Sequence, residues 1–556
     1  MELKSNSSAV KRDEIDRPLA DFPVNIWADP LTSFSVSHPE SERNKEKLTS
    51  LKETVKELFM ASKEKPIENI KLMDALCRLG VSYHFEDEIL EQLEKMFGCH
   101  DFMQMIRDSE SDLYTVSLVF QVFRQFGYKL FVNVFDKFKN KDGDFKEHLA
   151  DDARGLLCLY EAAHWSTHGE DILDEALTFC RSHLERLVSW SSPHLVVRIK
   201  NALKHAYPRG ISRIETRQYI SYYEKEDAHD QILLEFAKVD FNRLQILYRE
   251  ELGQVYRWYK DLDLSSKLPY ARNRTVESYL WAVGAYFEPC YSKERITLAK
   301  FIIILTLVDD TYDAYGTIEE LEPFTDALIR WNPSGTEGLP ENMRYLHHVV
   351  LNFFDKLDED MEKEGKSGCG LYAKKSMMVN ARAYLREAKW LSQDYVATFD
   401  EYKENGIYSA CYLAILTVSF LEMVDEATLD VFKWLSTIPP LLVSSALIAR
   451  LCDDIATSEF ERKRKHVGTA IDCYVKQYGV SREKALEEVK VMALDSWKSL
   501  NQELMTRPQP FPFPIIVRFL HLSRVIEVFY KDTDIFTQPE LMKDYVVSLF
   551  LENIVI

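Results

Sequence analysis

The chain lacks what would place it in a membrane, on nucleic acid or in an oxidising compartment. Its most apolar run, Phe301–Val308, is far short of the roughly 20 residues that span a bilayer as a helix. The apolar stretch Leu435–Cys452 is interrupted by Pro439 and Pro440, so no membrane segment is expected. Positive charge is scarce: 69 Lys and Arg stand against 89 Asp and Glu, a formal net charge of −20. Such a field repels polyanions and anionic lipid, which argues against nucleic acid as a partner and means that an anionic substrate needs local cations. The nine cysteines are scattered, with no CxxC pair and no histidine-rich neighbourhood, which excludes a zinc ribbon and fits reduced thiols. Met1–Asp21 has no apolar core, and Asp13, Glu14 and Asp16 make it too acidic for an organelle transit peptide. A cytoplasmic location is expected.

Glycine (18) and proline (19) are few for 556 residues, and they fall mostly between periodic segments. Strand-like alternation is hard to find. Helical periodicity dominates instead, as in Asn44–Lys63, where Leu48, Leu51, Val55 and Leu58 share one face. The fold class predicted is all-α, with no fixed-period repeat. The length fits roughly two to four domains, and the polar string from Tyr223 to Asp230 marks a boundary. It divides an N-terminal helical domain, 1–230, from a C-terminal one, 231–556. With 46% hydrophobic and 12% aromatic residues, either half can enclose a large apolar cavity.

Chemistry concentrates in the second half. Asp309-Asp310-Thr311-Tyr312-Asp313 follows directly on the apolar run. Asp309 and Asp313 are four apart, so their carboxylates share a helical face about 5–6 Å apart and repel unless a cation intervenes. A hard divalent ion such as Mg²⁺ takes oxygen ligands of this kind. A solvated acidic helix end is the plainer alternative. Against it, three acids near the C-terminal end of a helix oppose its dipole, and the preceding apolar run places that helix in a core. A second cluster follows another apolar run: Asp453, Thr457 and Glu461, spaced i, i+4, i+8, form an oxygen-only set suited to Mg²⁺ or Mn²⁺ and poor for zinc. Together the clusters suggest two helices gripping metal ions.

Arg272 and Arg274 precede the first cluster, and Arg450 sits three residues before Asp453. Guanidinium forks match phosphate oxygens, although any one of these arginines could serve an ordinary ion pair. Lys465 extends the patch within a charged run. Acids, metals and arginines make a diphosphate trap, and no P-loop or kinase glycine-rich loop accompanies them. Cleavage on the carbon side leaves a carbocation, which needs a dry, aromatic-lined pocket. Trp281, Tyr412, Tyr530 and Phe536 are candidates, each of which would also serve as core packing.

These residues resemble the plant terpene synthase family, specifically its sesquiterpene cyclases, over essentially the whole chain. Asp309–Asp313 is similar to the family's DDxxD motif, Asp453–Glu461 to its second metal motif, and Arg272-Asn273-Arg274 to its RxR element. Framework segments match too: Arg17-Pro-Leu-Ala-Asp-Phe-Pro with Trp27, and Tyr286-Phe-Glu-Pro289. The resemblance implies a silent N-terminal α-barrel whose N-terminal arm caps the site, and a C-terminal class I bundle with a central cavity. It implies Mg²⁺, three ions with Mn²⁺ as a substitute, on Asp309, Asp313, Asp453, Thr457 and Glu461. Arg272, Arg274 and Arg450 would hold the diphosphate, with Lys465 beside them, and Ser409 and Asp534 join the four aromatics in the pocket. The implied reaction is ionisation and cyclisation of farnesyl diphosphate by a monomer. The alternatives are a C10 or C20 substrate, a chain-elongating prenyltransferase, or a non-catalytic helical scaffold. Where relatives often have DxY, this chain has Asp534-Ile535-Phe536, so any proton relay through that tyrosine is lost. A single Arg17, without the doubled arginine of monoterpene cyclases, favours the C15 substrate. Gly406–Cys411 is similar to the family's kinked helix, and no DxDD motif of class II cyclisation is present.

Overall fold

Where the sequence alternates apolar and charged residues at helical spacing, the chain forms helices. The computed structural model describes residues 17, 22–27, 38–108, 111–366, 368–423, 425–461 and 467–556, except the side chains of 38–44, 460 and 461. Among these residues there is no strand, and only an isolated bridge joins Lys139 to Phe145. The stretch predicted as Asn44–Lys63 is helix His38–Ser62. Val55 and Phe59 are fully buried, and the helix packs along Gln231–Asp261.

That 31-residue helix is about 46 Å long at 1.5 Å per residue. Its start is set by Asp230, whose carboxylate accepts the backbone N–H groups of Ile232 at 2.8 Å and Leu233 at 3.0 Å, a favourable N-cap. The preceding helix ends at Tyr223, so the polar string lies between two helices. The first half also carries helices Pro66–Arg78, Leu113–Gln125, Ala153–Ala163 and Asp171–Leu187. At its centre Arg78 bonds Asp74 and Glu161, each at 2.7 Å, and Arg198 reaches Glu161 at 2.7 Å. All four side chains are buried, so each charge depends on the others to offset its lost hydration.

One apolar core runs from Leu48 to Ile554 through both halves. Asn501 donates to the carbonyls of His164 and Ser166, and Lys498 pairs with Asp174 at 2.7 Å. In the second half helices Thr275–Ala285, Ser292–Asp313, Gly370–Ser392, Phe399–Ser409, Tyr412–Glu422, Pro440–Glu461 and Phe513–Phe529 surround a cavity. Several are apolar on every face, as core helices are: in Ser292–Asp313 every residue from Phe301 to Val308 is buried. Pro440 occupies the first helical position, where its missing N–H costs nothing. No single described helix is long and apolar enough to cross a membrane; the pair Leu429–Leu435 and Pro440–Glu459 passes only jointly and is bent by 58°.

Candidate active site

The first acid cluster forms because the apolar helix Ser292–Asp313 carries its last turn into the cavity. Carboxylate oxygens of Asp309, Asp310 and Asp313 lie within 4.8 Å of one another. Asp309 and Asp313 line the cavity, whereas Asp310 is fully buried behind them. Asp310 is the anchor of Arg272: it accepts the backbone N–H at 2.6 Å and Nε–H at 2.8 Å. Arg272 also reaches Asp309 at 3.0 Å and Thr537 Oγ1 at 2.8 Å. Burial pushes the Asp310 carboxyl up to about 7 against the pull of Arg272. Burial, then repulsion from Asp313, raises Asp309. Crowded carboxylates that favour protonation are what a divalent cation relieves, and an all-oxygen set suits a hard ion. The residues therefore fit the metal that the sequence predicts.

The second cluster lines the same cavity through Arg450, Asp453 and Thr457. Arg450 forms an ion pair with Asp453 and bonds Asp454 at 2.9 Å. Asp454, buried, also accepts Tyr402 Oη–H at 2.7 Å and the N–H of Ala470 at 2.8 Å. Thr457 Oγ1 donates to the Asp453 carbonyl at 2.9 Å, leaving its lone pairs available. The helix runs to Glu461, but that side chain, like all of Lys465, lies outside the described residues.

Arg274 departs from the expectation. It does not line the cavity; it is buried and donates to the carbonyls of Pro23 at 2.5 Å and Thr537 at 2.9 Å. Two backbone segments need donors there, and the guanidinium supplies both, so Arg274 ties the N-terminal segment to the loop beyond Tyr530. Around it, Phe22 lies under Arg272 at 4.5 Å, Trp27 Nε1–H donates to Glu277 at 2.8 Å, and Arg17 pairs with Glu320 at 2.8 Å. Phe22 and Pro23 form part of the cavity wall.

The cavity measures about 540 Å³, within the range of small-molecule sites. Trp281, Tyr412, Tyr530 and Phe536 all line it. Trp281 meets Phe536 edge-on, with centroids 5.6 Å apart, and Tyr412 Oη–H is held by the Leu522 carbonyl at 2.9 Å. Asp534 accepts the N–H of Thr537 at 2.9 Å, which shapes the loop that also holds Arg272. Ser409 ends helix Phe399–Ser409 at the cavity wall, and Cys411 follows in a left-handed conformation, φ 65°. Sequence reasoning missed Asp310's structural role and the lining residues Tyr312, Tyr384, Glu387 and Tyr402. One signal was available: Tyr384, Glu387, Ala388 and Leu391 are spaced i, i+3, i+4, i+7 and share a helical face, and all four line the cavity.

A family model described as the terpene synthase metal-binding domain matches residues 260–499, and one for the terpene synthase N-terminal domain matches 26–203. The chain is 59% identical over 543 residues to the alpha-humulene/(-)-(E)-beta-caryophyllene synthase of Arabidopsis thaliana, covering 97% of this chain and 99% of that one. Limonene synthase with 2-fluorolinalyl diphosphate superposes with a TM-score of 0.91 at 31% identity, over 97% of this chain and 100% of that one. Isoprene synthase from grey poplar leaves, in complex with three Mg²⁺ ions and dimethylallyl-S-thiolodiphosphate, gives 0.86 at 31%, over 92% and 97%. The chain belongs to the terpene synthase family, and so is a lyase acting on a prenyl diphosphate through a divalent-metal-binding domain.

Proposed function

We propose that the chain is a sesquiterpene synthase that ionises farnesyl diphosphate and cyclises the resulting cation to a hydrocarbon or alcohol. The observation that carries this is one cavity with acids and arginines on its walls and aromatic rings among its lining residues, in a chain whose full-length relatives make sesquiterpenes. Asp309 and Asp313, with Asp453, Thr457 and Glu461, would hold the metal, three Mg²⁺ ions with Mn²⁺ as a substitute. When bound, these ions supply Lewis-acid charge to the leaving diphosphate.

The protein's own groups do the rest. Arg272 and Arg450 are fixed charges held in place by Asp310 and Asp454, so they meet the leaving group without reorganising. Trp281 and Phe536 offer ring surface to a cation at roughly 0.5–2 kcal/mol each. Phe536, with no hydroxyl, leaves no proton relay at that position. Arg274 acts by tying down the N-terminal arm, which brings Phe22 and Pro23 into the cavity wall. We place the domain boundary at 230/231 and the protein in the cytoplasm as a monomer, with no nucleic-acid or membrane partner.

Purified protein incubated with Mg²⁺ and C10, C15 or C20 prenyl diphosphates, followed by gas chromatography with mass detection, tests the reading. A cyclic C15 product lost with EDTA is expected. A C10 or C20 product alone would reassign the substrate, and chain elongation would overturn the cyclase mechanism.

A further inference from the structure

Glu387 is an acid of this cavity that belongs to neither acid cluster. It projects from helix Gly370–Ser392 into the lining. Its Oε1 accepts Ser409 Oγ–H at 2.6 Å and Asn405 Nδ2–H at 2.9 Å. Asn405 and Ser409 are four residues apart on the last turn before the break at Ala410–Cys411, so one carboxylate oxygen gathers that turn. Asn405 also donates to the Ala383 carbonyl at 3.1 Å, and both amide protons are then committed. On the same helix, Asn380 Nδ2–H reaches the Tyr408 carbonyl at 3.3 Å and Cys411 Sγ at 3.1 Å, and Tyr384 Oη lies 2.9 Å from that sulfur. Asn380, Tyr384 and Glu387 are spaced i, i+4, i+7 and grip both sides of the break, which a non-glycine left-handed residue makes costly to hold unaided.

We propose that Glu387 is a specificity-determining positioning residue: it holds the break and commits the Ser409 proton, so that Ser409 presents only lone pairs to the migrating cation. This rests on the sesquiterpene synthase reading. A hydroxyl free to rotate could present either its proton or its lone pairs; one whose proton is bound to the half-buried Glu387 carboxylate cannot. The opposite wall is mechanically close, since a Cβ added at Gly406 would meet Arg450 Cγ at 3.0 Å. The acceptor is therefore set relative to the guanidinium that faces the departing diphosphate.

Glu387→Gln keeps size and one acceptor oxygen but removes the charge, and Ser409→Ala removes the oriented hydroxyl. Full-length wild type, each variant and the double variant would be assayed with farnesyl diphosphate and Mg²⁺. Product profile, KM and kcat would be read together with the melting temperature. The expected result is a product ratio changed by about threefold or more in both single variants with KM within about twofold. The double variant should change the profile by less than the two single changes combined, because both act in part through one hydroxyl. Folded variants with the wild-type profile would overturn the proposal, as would a raised KM with an unaltered profile, which would assign Glu387 to diphosphate binding. If Glu387→Gln fails to fold, Ser409→Ala alone decides by the same criteria. A wild type that yields no C15 product fails at an earlier step and removes the functional reading and this inference together.

Discussion

Replacing Asp310 with alanine should damage the site from behind, without touching a residue that lines the cavity. Asp310 is fully buried and receives two hydrogen bonds from Arg272, at 2.6 and 2.8 Å, with a further ion-pair contact to its Nη2 at 2.6 Å. Each hydrogen bond to a charged group contributes about 1.5–3 kcal/mol. They share one partner and do not add, so the better bound is the roughly 3–5 kcal/mol cost of stranding one member of a buried pair. Arg272 keeps Asp309 and Thr537 as partners, which places the expected loss at the lower end, about 3 kcal/mol. Freed from its backbone anchor, Arg272 should no longer meet the diphosphate in a fixed geometry. Losing one preorganised electrostatic group costs about a hundredfold in kcat. The assay is a double-mutant cycle with Arg272→Ala, reading urea midpoints without metal and diphosphate release with Mg²⁺. A coupling energy of about 1–3 kcal/mol is expected for such a pair. Additive effects, or an Asp310→Ala protein within about 1 kcal/mol of wild type, would refute the anchoring argument.

Glu161→Ala in the first half should destabilise by about 3–5 kcal/mol, since it removes the acid that pairs Arg198 at 2.7 Å and leaves Arg78 with Asp74 alone; chemical denaturation measures this. Burial raises the Glu215 carboxyl from 4.5 to about 8, so the folded state holds a proton that the unfolded chain releases, and stability falls as pH rises from about 4.5 through about 8. Glu215→Gln removes that slope. Its melting temperature should therefore gain on wild type at pH near 8.5 relative to pH near 5.5, and parallel curves would contradict it. Trp27→Phe removes the hydrogen bond to buried Glu277 at a cost of about 1–3 kcal/mol, which limited proteolysis should detect as faster cleavage of the N-terminal arm. Phe536→Tyr places a hydroxyl in the cavity beside Trp281, and gas chromatography should show a changed product ratio with turnover retained.

Much of the site was legible because metal and diphosphate chemistry needs particular side chains at helical spacing. Asp309 and Asp313, Asp453 and Thr457, and the arginines before them could be found from i, i+4 arithmetic and charge. The structure places all but Arg274 of the described ones on one cavity. The contacts of Arg274 were not legible, because spacing cannot tell a guanidinium facing a ligand from one facing two backbone carbonyls. Pro23 and Thr537, which decide the matter, are more than 200 residues away in sequence. Asp310 was passed over for a related reason: one residue's rotation from Asp309, about 100° on a helix, turns it from the cavity into the protein.

The sequence by itself determined that the chain is helical, that the Phe301–Val308 run lies in a core helix, where oxygen groups suited to a hard cation cluster at helical spacing, and the class of reaction. These follow from local spacing and from charges that have no purpose singly. Only the tertiary structure decided which arginine is an anchor and which side chains close the pocket. It also decided that Glu387, Asn405 and Ser409 form one clamp at the helix break. Those outcomes depend on where helices remote in sequence come to lie against one another, and on burial, which turns an ordinary surface acid into one that must find a partner.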